Sequence, residues 1–348
     1  MNTLIRVDAS VEIGTGHVMR CLTLANLLRN KGAKIIFNCI NGSGNLIDYI
    51  INEGFEVYKI RATKDSIRDI QSTIHLIENH NIDLLIIDHY QLDWKWEKEV
   101  RIAFPHVKIM VIDDLANRKH DCDLLLDQNY FNNYETRYEH LLIGNCKKLL
   151  GPSYLLLRPE FYEEEKYIKE NDTKSILVFY GGSDPTGETL KALEALEVVD
   201  CSSYNIHVVV GLSNEKLEEI KLKCMENDYN FYVQINYLSQ LMRKADLSLG
   251  AGGVTMWERC FLGLPSIVTV VAENQLESTQ AAAEFGAVWN IGWYEDVKVV
   301  DLADIVNRAL EQPGNLQEMS RKAKQLMQSD RKYETHPVVE AMMEVLES

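Results

Sequence analysis

Leu4-Ile5-Arg6-Val7-Asp8, then Gly14-Thr15-Gly16-His17, then Val18-Met19-Arg20-Cys21-Leu22: this stretch holds a strand, a glycine-bearing loop and a helix in immediate succession. The apolar run Leu4 to Val7 ends at Asp8, and a short polar loop follows. Val18, Cys21, Leu22, Ala25 and Leu28 recur every three or four residues until Gly32, as in a helix with one buried face and a glycine just past its end. Glycines between a strand and a helix let a ligand approach the backbone, and the helix start offers N–H groups and positive potential to an anion. A histidine placed there feels that potential, which favours the neutral imidazole and so a proton acceptor. His17 therefore reads as a general base beside a bound phosphate. With equal weight it reads as a residue that only satisfies the helix start.

The alternation continues along the chain. Strands are expected at Lys34–Cys39, Phe55–Ile60, Asp83–Asp88, Val107–Ile112 and Cys122–Leu126, with helices starting near Leu46 and spanning Lys64–Asn79 and Trp94–Phe104. The nearly unbroken apolar run Leu84-Leu85-Ile86-Ile87 is that of a parallel strand covered on both faces. Such alternation specifies an α/β fold with an open, doubly wound sheet, whose ligands sit beyond the carboxyl ends of the strands. Asp8, Asp88, His89, Tyr90 and Asp113 all fall at such ends.

Between Glu163 and Lys174 the sequence turns charged and poor in apolar residues, which marks a linker and a natural hinge. The pattern then restarts, with strands at Ser175–Tyr180, Ile206–Val210, Phe231–Ile235, Asp246–Leu249, Ser266–Val271 and Val288–Ile291. Helices are expected at Thr186–Val198, Lys216–Asn227, Leu238–Ala245 and Val254–Leu262, and over most of Leu302–Ser348. Two α/β domains in tandem, 1–162 and 174–348, are expected to leave a ligand cleft between them. The last helix is free to pack back on the first domain.

Net charge is −16, with 52 acidic against 36 basic residues, which argues against a general polyanion binder and a basic membrane-binding surface. A small phosphorylated ligand needs only local positive potential and remains compatible. The start of the sequence runs straight into a strand with no signal-peptide pattern, and no apolar run has the length of a membrane span. The seven cysteines are scattered without a Cys-x-x-Cys pair and read as reduced thiols, so a cytoplasmic protein is expected. The nine histidines show no metal-ligand spacing, and neither a metal nor another cofactor is expected.

In the second half, Gly250-Ala251-Gly252-Gly253-Val254-Thr255 bridges a strand and a helix and suits phosphate binding by backbone N–H groups. It is neither a Walker A loop nor a dinucleotide fingerprint. Glu258, one helical turn on, stands where a carboxylate reaches ribose hydroxyls, or else is a solvated helix residue. Gly181-Gly182-Ser183-Asp184 and Glu273-Asn274-Gln275 close two more strands on the same expected rim. Each loop alone reads as an ordinary turn; the three together read as a nucleotide pocket.

These residues, taken in order, resemble the nucleotide-sugar hydrolases of pseudaminic acid biosynthesis, which act on UDP-2,4-diacetamido-2,4,6-trideoxy-β-L-altropyranose. The likeness rests on Arg6-x-Asp8, Ile13-Gly14-x-Gly16-His17 with Arg20, Ile87-Asp88-His89-Tyr90, and Tyr154 with Leu157-Arg158 and Phe161. It continues through Gly181-Gly182-Ser183-Asp184, Glu258 with Leu264-Pro265, and Asn274-Gln275-x-x-Ser278-Thr279. The resemblance implies a glycosyltransferase-B architecture of two Rossmann-like domains, with UDP held mainly by the second and the sugar facing the first. It implies cleavage between the anomeric carbon and the phosphate oxygen by water, with inversion and without metal. It places the catalytic histidine at His17 and active-site tyrosine and asparagine at Tyr90 and Asn274. Gly14, Gly16, Arg20, Arg158, Gly182, Ser183, Gly252, Gly253, Val254, Glu258, Asn274 and Gln275 are then the expected substrate and UDP contacts. Asp8 is expected to orient the His17 imidazole, or else to accept from loop N–H groups.

Three other readings share these features. A glycosyltransferase of the lipid-intermediate type has the same two-domain plan but needs a sugar acceptor and a membrane-facing patch. A hydrolysing epimerase would also invert C2 and take up solvent deuterium there. A nucleotide-sugar-binding protein without turnover would have no need of His17 as a base. The isomeric sugar of the related legionaminic pathway is a further possible substrate, and the oligomeric state is not encoded in any feature of the sequence.

Overall fold

The computed structural model describes residues 1–9, 16–61, 66–163, 174–329 and 336–347. The expected linker therefore lies almost wholly outside the described residues, as does Gly14. The chain forms two compact units. The first takes in residues 1–129, 133–158 and the final helix; the second takes in Tyr130–Asn132 and continues from Pro159.

The first unit is one parallel sheet of seven strands, in the order β3-β2-β1-β4-β5-β6-β7. In chain order the elements are β1 (Asn2–Val7), α1 (Gly16–Asn30), β2 (Lys34–Asn41), α2 (Ile47–Asn52), β3 (Glu56–Arg61) and α3 (Ser66–His80). After these come β4 (Leu84–Asp88), α4 (Trp94–Ala103), β5 (Lys108–Ile112), β6 (Leu124–Asp127) and β7 (Lys147–Leu150). Alternate residues of each strand feed two cores. Ile5, Val7, Phe37, Ile86 and Ile112 pack under α1, while Leu4, Ile36, Leu85, Ile87 and Val111 pack with Leu76, Trp96 and Val100 of α3 and α4. Two covered faces explain why β4 reads as unbroken apolar sequence. The final helix α12 (Pro337–Glu347) adds Val338, Val339, Ala341 and Met342 to the α1 core.

The second unit is a six-stranded parallel sheet in the order β10-β9-β8-β11-β12-β13. Its elements are β8 (Lys174–Phe179), α5 (Glu188–Glu197), β9 (Tyr204–Val210), α6 (Leu217–Glu226), β10 (Asn230–Val233), α7 (Leu238–Lys244) and β11 (Leu247–Ala251). There follow α8 (Val254–Leu262), β12 (Ser266–Val270), α9 (Leu276–Phe285), β13 (Trp289–Trp293), α10 (Val299–Glu311) and α11 (Pro313–Met327). Two elements are absent from the sequence-based expectations. Strand β7 begins with two exposed lysines, and α9 carries a mostly small-residue face of Ser278, Thr279, Ala281 and Ala282. Neither has the large apolar repeat that the eye seeks.

Both sheets reverse strand order once, at β1/β4 in the first unit and at β8/β11 in the second. Loops leaving the two central strands diverge there, so the backbone opens a crevice at the carboxyl ends. Among the described residues no helix is long and apolar enough to cross a membrane.

Candidate functional site

In the first unit the crevice is built from the ends of β1 and β4 and the start of α1. Val7 pairs with Asp88 in the β1–β4 register, so Asp8 and Asp88 leave neighbouring strands together. His17 stands in the first turn of α1, where N–H groups have no helical acceptor and the helix dipole is positive. Its Nδ1 lies 2.9 Å from Asp88 Oδ1, and its buried Nε2 has no hydrogen-bond partner among the described residues. The ring meets Tyr90 edge to face, with centroids 4.4 Å apart at 79°.

Asp88 is fully buried. Burial alone would push its carboxyl up, but Arg20 and His17 outweigh that and hold it well below the usual carboxylate range. The ionised carboxylate accepts from Nδ1–H, so the lone pair lies on Nε2, which no described residue engages. That is the arrangement of a histidine base oriented by an acid.

One expectation is corrected here. Asp8 does not orient His17; Asp88 does. Asp8 accepts from the Ile40 N–H at 2.7 Å, pairs with Arg6 at 2.8 Å and lies 3.1 Å from His89 Nε2. His89 Nδ1 accepts from the Gln91 N–H at 3.0 Å, which leaves Nε2 to donate to Asp8. Burial would raise the Asp8 carboxyl, but the His89 hydrogen bond and Arg6 prevail and hold it well below its ordinary value. Arg20, expected as a substrate contact, is engaged with acids of its own unit. Its Nε and Nη2 each donate to Asp88 at 2.6 Å and its Nη1 to Asp114 at 3.2 Å, inside the protein. With these donors engaged, Arg20 positions Asp88.

Asp88 was read from the sequence only as a strand-end residue; its role as the partner of His17 was missed. The available signal was topological, since β4 joins β1 in the middle of the sheet, and an acid ending β4 must flank whatever follows β1. Gly16 opens α1, and Arg158, half-buried, is the last residue of the first unit before Pro159.

In the second unit, loops after β8 and β11 flank the strand-order reversal. Gly182 and Ser183 are exposed, while Asp184 turns inward and accepts from the N–H groups of Glu188 and Thr189 at 3.0 and 2.8 Å, anchoring α5. Gly182 O accepts from the Gly211 N–H at 2.9 Å. A Cβ on Gly211 would stand 2.6 Å from that oxygen, so this close backbone contact requires glycine.

Gly253 adopts φ +80° and ψ −157° immediately before α8, whose first residue is Val254. The Val254 and Thr255 N–H groups then lie in the first turn, free of helical acceptors. Gly252 is pressed against α9: a Cβ there would meet Thr279 Oγ1 at 2.7 Å and Gln275 Oε1 at 3.0 Å. Gln275 Oε1 accepts from the Val271 N–H at 3.1 Å, so that side chain braces the loop with its oxygen and keeps only its N–H₂ end for other partners. Asn274 is exposed beside it on a short 3-10 turn, and Glu258 is buried on α8 one turn beyond Val254.

Residues 176–334 match the glycosyltransferase family 28 C-terminal domain. The chain is 30% identical over 247 residues to the UDP-2,4-diacetamido-2,4,6-trideoxy-beta-L-altropyranose hydrolase of Campylobacter jejuni, a match covering 71% of this chain and 83% of that protein. The chain belongs to this hydrolase family. It is also 30% identical over 285 residues to an uncharacterized protein of Methanocaldococcus jannaschii, covering 80% of this chain but only 57% of the archaeal protein. Among solved structures, Acinetobacter baumannii MurG superposes with a TM-score of 0.68 at 14% identity, covering 99% of this chain and all of that one. That likeness establishes the glycosyltransferase-B fold for this family member.

Proposed function

We propose that this chain is a nucleotide-sugar hydrolase that releases UDP from UDP-2,4-diacetamido-2,4,6-trideoxy-β-L-altropyranose. The observation that carries the reading is the Asp88–His17 pair at the start of a helix, with an Nε2 that no described residue engages. Nucleotide binding alone has no use for a buried, oriented base. Membership of the hydrolase family and the glycosyltransferase 28 domain supply the substrate class.

In this reading, a water molecule gives its proton to His17 Nε2 as its oxygen bonds to the anomeric carbon. The bond from that carbon to the phosphate oxygen breaks, and its electron pair leaves with UDP. Attack opposite the leaving group inverts the anomeric centre. Charge on the departing diphosphate is taken by N–H groups of the kind that Gly182, Ser183, Gly253 and Val254 offer in the second unit. Glu258 is assigned to the ribose hydroxyls, and Asn274 and Gln275 to the nucleotide. Tyr90, in contact with the His17 ring, positions the sugar or the water, and Arg158 and the Gly14–Gly16 loop are further sugar contacts. The domain boundaries near the charged segment 163–174 and the cytoplasmic setting belong to the same proposal.

The test is release of UDP from the UDP-linked 2,4-diacetamido-trideoxyhexose in the presence of chelator, for the wild type and His17→Ala. Rapid release by the wild type that collapses in the variant, while UDP still binds both, is the expected result. Release that persists in the variant overturns His17 as the base. The glycosyltransferase 28 domain favours one competing reading, a transferase. Sugar transfer only when an acceptor is added, with no free sugar formed otherwise, would establish that instead.

A further inference from the structure

We propose that Arg259 is a buried cation that strengthens diphosphate binding at the Gly250–Gly253 loop, acting through the loop backbone. The proposal rests on the reading that the nucleotide seats on this loop. Arg259 lies on α8 and is fully buried. Its Nη2 donates to the Ala251 carbonyl at 2.7 Å and its Nε to Ser266 Oγ at 3.2 Å, whereas its Nη1 has no hydrogen-bond partner among the described residues.

The other two buried arginines are each paired with acids, Arg6 with Asp8 and Asp69, and Arg20 with Asp88 and Asp114. Arg259 has no carboxylate within 4 Å among the described residues; Cys260, Tyr180 and then Glu258 favour its charged form, and burial outweighs them. Burial pulls its pKa down to about 10, which still leaves it charged at neutral pH. An unpaired buried charge is strongly unfavourable to the fold. Its place directly under the loop is accounted for if an anion seated on the loop backbone offsets the charge from outside.

The local geometry is built around this charge. A Cβ on Gly250 would stand 2.5 Å from Arg259 Nη1 and 2.6 Å from the Phe179 carbonyl, so glycine at the end of β11 makes room for the guanidinium against the central strands. The Ala251–Gly252 peptide is fixed from both sides, its carbonyl accepting from Arg259 and its N–H donating to the Thr269 carbonyl at 3.3 Å. The chain then turns at Gly253 and presents the first N–H groups of α8. Positive charge from a desolvated guanidinium thus adds to the helix start at the same loop, in a protein whose net charge of −16 repels anions at long range. A diphosphate gains more from it than a monophosphate, and a nucleoside gains nothing.

The experiment measures binding of UDP, UMP and uridine to the full chain by calorimetry, for the wild type, Arg259→Met and Arg259→Lys. The Met variant is expected to lose about tenfold or more in UDP affinity, less in UMP affinity, and none for uridine. Its unliganded melting temperature is expected to stay near that of the wild type, since methionine removes an unpaired charge but also the donor to the Ala251 carbonyl. The Lys variant, which keeps the charge, is expected to bind UDP more tightly than the Met variant. Equal losses for all three ligands, or UDP affinities that are the same for Lys and Met, overturn the proposal and leave Arg259 a packing residue. A wild type that fails to bind UDP overturns the nucleotide reading of the loop itself.

Discussion

His17 Nδ1 lies 2.9 Å from Asp88 Oδ1, so an acid at the end of β4 fixes the imidazole at the start of α1. Replacing Asp88 by asparagine keeps the shape but removes the charge that selects the Nδ1–H tautomer. An amide N–H donated to Nδ1 selects the other tautomer, which presents Nε2–H to the water rather than a lone pair. Asp88→Asn is expected to lower kcat by about 10²–10⁴, the range of a disabled general base. UDP affinity, measured separately by calorimetry, is expected to hold. A fall in UDP affinity equal to the fall in kcat would show that the variant has lost the fold instead.

Arg20 supplies the counter-charge on the far side of the same carboxylate, with two donors at 2.6 Å. In the wild type Asp88 is held below its ordinary value, so its contribution to stability is present at neutral pH and is lost as pH falls through that depressed range. Arg20→Met leaves Asp88 buried against His17 and the Cys21 thiol, and the sign reverses. Burial then raises the carboxyl, and the variant becomes less stable as pH rises. A loss of about 3–5 kcal/mol is expected at pH 8 and a smaller one at pH 5, read from denaturant unfolding at the two pH values.

The fold was legible in the sequence because parallel strands covered on both faces, such as Leu84–Asp88, leave apolar runs that no surface element has. Gly250–Val254 was legible as the link from β11 to α8, because an apolar run stops at its glycines and a helical repeat starts after them. The partner of His17 was not, because Asp8 and Asp88 are equivalent in one dimension: each ends an apolar run. Only the sheet order, β1 beside β4, and the capture of Asp8 by Arg6 and His89 separate them. Arg259 was hidden by its helix, where an arginine reads as a solvated face until its burial is known.

Asp127 gives a second pH dependence, with no counterpart in the reaction. Burial, with the charges of Asp114 and Asp113 nearby, raises its carboxyl to about 7. A folded-state value above the unfolded one means that its contribution is fully present below about pH 4 and lost as pH rises to about 7. Its Oδ2 lies 3.0 Å from Tyr138 Oη, which also reaches Asp113 Oδ2 at 3.1 Å. An asparagine at 127 donates to the tyrosine oxygen while the tyrosine donates to Asp113. Asp127→Asn is therefore expected to raise the melting temperature at pH 8 and to leave it nearly unchanged at pH 5. A lower melting temperature at both pH values would refute the assigned protonation.

Gly252 gives a steric test of the loop in the second unit. A methyl group there would stand 2.7 Å from Thr279 Oγ1 and 3.0 Å from Gln275 Oε1, while the adjacent Gly253 already holds φ at +80°. Gln275 cannot yield freely, because its oxygen holds the Val271 N–H. Relief must come from the loop, which moves the N–H groups at the start of α8. Gly252→Ala is expected to cost about 1–3 kcal/mol in stability, as overpacking of a close contact does. It is also expected to weaken UDP binding about tenfold, because preorganised donors lose their aim when the loop shifts. Removing the obstruction with Thr279→Ala in the same chain should recover part of both losses. Recovery of stability without recovery of UDP binding would mean that the loop braces α9 and does not hold the nucleotide.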